Sequence, residues 1–250
     1  MRYVEPELTI TDLPWPQVRS RVCEYWAARE APHISIMAQT RAGKSYLVRH
    51  GLLPLCRNDR VLFIDVKGND PTLAGLGNPV AKIPSKLGGL KGLLRKPEPE
   101  EHWYRLRVHK GPRNREAARA QVTEAFERVL REGDWVVILD ELRAITDPQY
   151  PGLHLKPYYE EFILRGGSNG ISTVSCSQEP RWCPGAFYTQ QNFTFLSRLE
   201  DLASQKRLSE IGSTRQLVPH VTKIARHNWL YMDNMDDSGD RFWARTKVVK

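Results

Sequence analysis

The eight residues Ala38-Gln39-Thr40-Arg41-Ala42-Gly43-Lys44-Ser45 constrain this chain more than any other feature. They fit the pattern G-x-x-x-x-G-K-[ST] at every fixed position except the first, where alanine replaces glycine. The apolar run His33 to Met37 precedes them, and a segment with Tyr46, Leu47 and Leu52 to bury on a helix follows. Strand, loop and helix in that order make an anion cradle. Backbone N–H groups at a helix start point at phosphate oxygens, Gly43 permits close approach, Lys44 neutralises β/γ charge, and the Ser45 hydroxyl ligates Mg²⁺. Alanine at position 38 tolerates fewer backbone angles than glycine, so that position is the pattern's weak point.

The rest of the chain supplies the sheet such a loop needs. Residues 1–14 read as a short strand and turn, and Thr11 or Asp12 is expected to cap a helix with Pro16 in its first turn, running to about Arg29. Val61 to Asp65 and Trp103 to Val108 read as strands, separated by a loop-rich stretch from Lys67 to Glu101. Apolar residues from Ala117 to Leu130 recur every three or four positions, which predicts an amphipathic helix over 114–132. Asp134 to Glu141 is apolar without alternation, as expected of a parallel strand covered on both faces. Helix Tyr158 to Arg165, strand Gly170 to Ser177 and strand Phe193 to Leu196 follow, and NWLYMD with RFWARTK reads as a terminal hairpin. The order implies a three-layer α/β fold with a central, mostly parallel sheet, a short N-terminal helix and a C-terminal β-hairpin. The expected organisation is a lead-in over 1–30, a core over 31–225 with a basic insertion at about 81–119, and the hairpin over 226–250.

Asp140 ends the most apolar strand and Glu141 follows at once. Paired with the phosphate loop, Asp140 is expected to hold the Mg²⁺ shell, while Glu141 orients and deprotonates the water that attacks the γ-phosphate. Gln178, at the end of the next strand, can hydrogen-bond the γ-phosphate and report its presence. The 96 positions between Lys44 and Asp140 leave room for the extra strand of a RecA-like (ASCE) P-loop NTPase, and no N-K-x-D guanine-reading motif is present, so ATP is the expected nucleotide.

The ordered set AQTRAGKS, LFIDVKGND, VVILDE and RGGSNGISTVSCSQEPR resembles the FtsK–HerA superfamily of DNA-pumping ATPases, compact viral genome-packaging ATPases included. It covers about Ile34 to Gly212. Asp65, Lys67 and Gly68 are similar to the family's strand-end I-D-x-K-G, and Gly170 to Gln178 to its glycine-preceded sensor strand; the order Glu179-Pro180-Arg181 departs from the family's Arg-Pro. The resemblance implies a homo-oligomeric ring, a pentamer or hexamer, with nucleotide between subunits and an arginine reaching in from the neighbour. Arg165 is similar to that arginine, with Arg198 and Arg207 as weaker candidates. A helix C-terminal cation complementing the dipole is the alternative role for Arg165.

Charge points the same way. Lys and Arg number 37 against 29 Asp and Glu, a formal net charge of +8. From Ala81 to Arg119 there are eleven basic residues and four acids, so most of the excess sits in one segment. Lys86, Lys91, Arg95, Lys110, Arg113 and Arg115, interspersed with glycine, are the candidates for double-stranded DNA, bound through phosphates with little sequence specificity. A solvated charged face is the alternative. No apolar stretch is long enough to span a membrane, and MRYVEPELT lacks the apolar core of a signal peptide, so a cytoplasmic location is expected, in the host cytoplasm or with the virion if the source is viral. Cys23, Cys56, Cys176 and Cys183 show neither disulfide nor zinc spacing.

An ATP-hydrolysing DNA translocase, acting in packaging or transfer of a viral or mobile genome, accounts for all of these features. An ATP-dependent scaffold or switch assembling with protein partners is the alternative from another class, and the paired carboxylates oppose it. A conjugation- or secretion-type ATPase would commonly carry extra domains or membrane anchors, and a small-molecule kinase lacks a lid-like second arginine cluster.

Overall fold

The computed structural model describes residues 9–27, 30–56, 59–66, 75–80, 82–83, 102–108, 114–149, 152–211, 215–225, 227–234 and 242–248. In chain order these form Thr11–Asp12 (β1), Trp15–Ala27 (α1), His33–Met37 (β2) and Lys44–Tyr46 (α2), the last continuing as a π-helical turn over Leu47–Leu52 and a 3-10 turn over Leu53–Cys56. Arg60–Asp65 (β3), Asn78–Val80 (β4), Trp103–Arg107 (β5), Arg115–Glu132 (α3) and Trp135–Leu139 (β6) come next. Leu142–Thr146 (α4), Lys156–Arg165 (α5), Ser172–Ser177 (β7), Ala186–Thr189 (α6), Phe193–Leu196 (β8), Leu202–Ile211 (α7), Val218–Val221 (α8), Asn228–Asp233 (β9) and Phe242–Lys247 (β10) complete the set.

All ten strands join one sheet in the order β1-β10-β9-β8-β2-β7-β6-β3-β5-β4, and among the described strands β9 alone runs antiparallel to its neighbours. Side chains alternate between two cores, as a sheet covered on both faces requires. On β6, Trp135, Val137 and Leu139 join the core under α3, α5 and α7, while Val136 and Ile138 join the core under α1 and α2. That alternation makes the three layers expected from the sequence. α3 buries Ala118, Val122, Ala125, Phe126 and Val129, and Phe126 packs edge-on against Phe162 of α5 with centroids 4.9 Å apart. Among the described residues no helix is long and apolar enough to cross a membrane.

Several expectations need correction. Thr11 and Asp12 do not cap α1; they pair with Ala244 and Arg245, and the helix begins at Trp15, with the Pro14 carbonyl accepting from Gln17 N at 3.0 Å. The loop-rich stretch contains β4, a three-residue edge strand whose proline and exposed pattern hide it from a periodicity reading. The hairpin extends the central sheet through β8–β9 pairing. α4, α6, α7 and α8 were not expected; α4, α6 and α8 are five residues or fewer, too short for a helical repeat to register.

The strands beside β2 carry small polar residues that pair across the sheet. Ser35 Oγ and Thr194 Oγ1 lie 3.0 Å apart, as do His33 Nδ1 and Thr173 Oγ1. Burial lowers the His33 pKa to about 4, so the folded protein holds this ring neutral. Between the ordinary pKa of 6.5 and about 4 the unfolded chain binds the extra proton, so stability is lost as pH falls through that window, by roughly 3 kcal/mol in full. Chemical denaturation at stepped pH should show this loss in the wild type and a markedly smaller slope in His33→Gln; equal slopes would remove His33 as its cause.

Candidate active site

The register of three parallel strands builds the site. Met37 pairs with Ser177 and Leu139 with Ser175, so the loop after β2, the loop after β7 and the loop after β6 leave the same sheet edge side by side. The ladder runs on into the phosphate loop, where Ala38 N donates to Ser177 O at 3.1 Å. Left-handed backbone in this loop falls on Arg41 (φ 65°) and Gly43 (φ 106°). Ala38 is fully buried and outside the left-handed region, so its methyl group fits where the pattern asks for glycine. Gly43 earns its place twice, because a Cβ there would lie 2.6 Å from His227 Nδ1.

Lys44 is buried, and its Nζ donates to the carbonyls of Ala38 at 2.7 Å and Gln39 at 3.2 Å. The ammonium is thus folded back over the loop at the start of α2. Ser45 follows, half-buried. Gln39 N reaches Arg198 O at 3.3 Å, tying the loop to the end of β8, and Ala42 N closes a turn onto Gln39 O. On the other flank, Thr40 Oγ1 donates to Gln178 Oε1 at 2.6 Å.

Asp140 is buried directly after β6. Glu141, in extended backbone just before α4, accepts from Gln178 N at 3.3 Å and Ser177 Oγ at 3.5 Å. The phosphate loop, Asp140, Glu141 and Gln178 therefore occupy one edge over three adjacent strands. Oxygen donors at Ser45 and Asp140 suit a hard divalent cation such as Mg²⁺, and among the described residues there is no His/Cys cluster of the kind that takes softer metals.

Four contacts there have no counterpart in the sequence. Arg143 pairs with Glu179 and, at 3.1 Å, with Asp147, which ties α4 to the chain leaving β7. Its guanidinium and that of Arg181 each lie 5.3 Å from the ring of Trp182, which is exposed. Cys183 sits behind this edge, where burial, with a smaller contribution from Glu141, pushes its thiol up against the opposing hydrogen bond from Ser177; it is no nucleophile. A weak signal for Arg143 existed in its spacing two residues beyond Glu141. None existed for His227, which tertiary folding alone brings to Gly43.

The remaining candidates lie elsewhere. Arg165 ends α5, exposed and 3.2 Å from Glu161, at the edge where β7 begins. A strand of six residues spans about 20 Å, so Arg165 and the phosphate loop stand at opposite edges of the sheet. Arg198 pairs with Glu200 at 2.6 Å, and Arg207 lies 5.9 Å from the ring of Tyr188. Arg115 donates to the carbonyls of Gly152 at 2.8 Å and Pro148 at 2.6 Å, so its donors hold a loop. Lys67, Gly68, Lys86, Lys91, Arg95, Lys110 and Arg113 lie outside the described residues.

No protein-family model matches the sequence, and no curated protein does. Solved structures match in fold. The genome packaging NTPase B204 from Sulfolobus turreted icosahedral virus 2, in complex with AMPPCP, superposes with a TM-score of 0.59 at 13% identity, over 88% of this chain and 100% of that one. The DNA-packaging ATPase B204 from Sulfolobus Turreted Icosahedral Virus gives 0.58 at 16% identity, over 85% and 96%. VirB4 of Thermoanaerobacter pseudethanolicus gives 0.64 at 12% identity, over 87% and 89%. The chain therefore has the α/β P-loop NTPase fold shared by the B204 packaging NTPases and VirB4, which is the fold its FtsK–HerA-like motifs imply.

Proposed function

We propose that this protein is an ATP-hydrolysing motor that translocates double-stranded DNA, working as a homo-oligomeric ring in packaging or transfer of a viral or mobile genome. The observation that carries the reading is the convergence of the Ala38–Ser45 loop, Asp140, Glu141 and Gln178 over three neighbouring strands. The fold likeness to an NTPase solved with AMPPCP supports ATP as the ligand, and the packaging role printed for both B204 proteins supports the setting.

The geometry supports the following roles. Backbone N–H groups of Gly43, Lys44 and Ser45 take the phosphates at the start of α2. Lys44 exchanges the Ala38 and Gln39 carbonyls for phosphate oxygens, a gain because a charged donor prefers a charged acceptor. Ser45 and Asp140 would hold Mg²⁺, which when bound neutralises charge on the phosphoryl oxygens. Glu141 orients a water and takes its proton as it attacks the γ-phosphorus in line with the leaving ADP oxygen. Gln178 donates its side-chain amide N–H to the γ-phosphate, while its Oε1 accepts from Thr40, and hands the change to the chain beyond β7.

Arg165 acts in the neighbouring subunit. It stands at the edge away from its own phosphate loop, and beside it Leu164, 66% exposed, offers apolar surface that a subunit contact would cover. A cation meeting charge that develops in the transition state is worth several orders of magnitude in rate.

Lys44→Ala should abolish nucleotide binding or turnover, whereas Glu141→Gln should keep binding and lose roughly 10²–10⁴-fold in phosphate release, the usual weight of a general base. Unchanged release in Glu141→Gln would take that residue out of the chemistry. Mixing inactive Arg165→Ala subunits with inactive Glu141→Gln subunits should restore turnover at the interfaces where intact residues meet; no recovery at any ratio would exclude action in trans. Duplex DNA should stimulate the ATPase, and charge reversal at Lys110 and Arg113 should weaken DNA binding and flatten its dependence on log salt. Binding and slope both unchanged would make that segment a solvated face.

A further inference from the structure

Glu141 stands on a weak piece of structure for a residue that must aim a water. It lies in extended backbone between β6 and α4, and α4 has only five residues, too few to hold a helical shape alone. Leu142 and Ile145 anchor the helix in the core, and Thr146 Oγ1 donates to Leu142 O at 3.0 Å. Apolar packing is non-directional, so it seats α4 without aiming the carboxylate that precedes it.

Polar contacts supply the direction. Two links join the turn after β6 to the chain that leaves β7, and they run side by side. In the first, Glu141 Oε1 accepts from Gln178 N at 3.3 Å and from Ser177 Oγ at 3.5 Å. In the second, two residues further along, Arg143 Nη1 donates to Glu179 Oε2. The same guanidinium donates through Nε to Asp147 Oδ2 at 3.1 Å, so one planar fork joins the end of α4 to the chain beyond Gln178.

Glu179 is held in turn. Its N–H donates to Ser177 Oγ at 3.2 Å, and its carbonyl accepts from Trp182 N at 3.1 Å. The contacts therefore close on themselves: Glu141 to Ser177, Ser177 to Glu179, Glu179 to Arg143, and Arg143 back along the chain to Glu141. The segments that leave β6 and β7 carry four acids, Asp140, Glu141, Asp147 and Glu179, and Arg143 pairs with two of them, whereas Arg181 faces Asp201 at 3.9 Å. Removing the Arg143 guanidinium leaves Glu179 without its cation among like charges.

We infer that Arg143 is a positioning residue for hydrolysis: paired with Glu179, it holds the turn after β6 against the end of β7, so that Glu141 meets the attacking water while Gln178 meets the γ-phosphate. The inference rests on the reading of Glu141 as the general base, and the test separates the two. ATP binding by calorimetry and phosphate release at saturating ATP are measured on the full chain for the wild type, Arg143→Gln, Glu179→Gln, the double variant, Glu141→Gln, and Glu141→Gln combined with Arg143→Gln. Each of the first two variants should keep its ATP dissociation constant within about twofold, which also reports that it folds, and lose roughly ten- to a hundredfold in kcat, as a group misplaced by about 1 Å does. The Arg143→Gln, Glu179→Gln double variant should lose no more than the worse single one, and Arg143→Gln should cost nothing further once Glu141 is glutamine. Unchanged kcat in Arg143→Gln overturns the inference, and so do losses that multiply in either combination, because residues that act through one another do not add. Losses of ATP binding as large as those of kcat overturn it too, since they report a damaged site rather than a misaimed base. Wild-type phosphate release in Glu141→Gln brings down the general-base reading itself, and the inference with it.

Discussion

The parallel pairing of β2 with β7 is the contact on which the rest of this molecule depends. It is a backbone interaction, set by register, and it carries the phosphate loop out of the sheet beside the strand that ends in Gln178. β6, on the far side of β7, then brings Asp140 and Glu141 to the same edge. A slip of one residue would turn each buried side chain to the other face, so the two hydrophobic cores enforce the register that the site needs. Stability and chemistry are coupled through it.

The polar interior around β2 fits that role. Ser35, Thr173, Ser175, Ser177 and Thr194 are buried on neighbouring strands, where bulkier aliphatic residues would be expected. Pairs such as Ser35 with Thr194 and His33 with Thr173 satisfy one another across the sheet. Small side chains let the strand ends approach closely, and Ser177, the last of them, also accepts from Glu179 N and touches Glu141. The strand that ends before Gln178 is thus tied by hydrogen bonds to Glu141 on one side and, through Gln178, to Thr40 of the phosphate loop on the other.

A parallel sheet has two unlike edges, and this protein divides its tasks between them. The C-terminal edge gathers the phosphate loop, the acids and Gln178. The N-terminal edge carries Arg165 and Leu164 at the end of α5. Residues at opposite ends of one chain meet only when a second copy is added, which is the physical basis of the proposal that Arg165 serves a neighbour.

Local sequence determined much of this. An uninterrupted apolar run such as Val136–Leu139 must be covered on both faces, and a G-K-S after one strand and before a helix marks the loop around which the candidate site is built. Adjacent acids after a strand announce themselves for the same reason. What the sequence left open are contacts between residues far apart along the chain. Gly43 with His227, Thr40 with Gln178 and Arg143 with Glu179 exist because register and crossover bring their strand ends together, and no periodicity encodes that. β4 and the shortest helices escaped because their packing, rather than their own propensity, forms them. Motif identity is written in neighbouring residues; the partners of each motif are decided by the order of strands in the sheet.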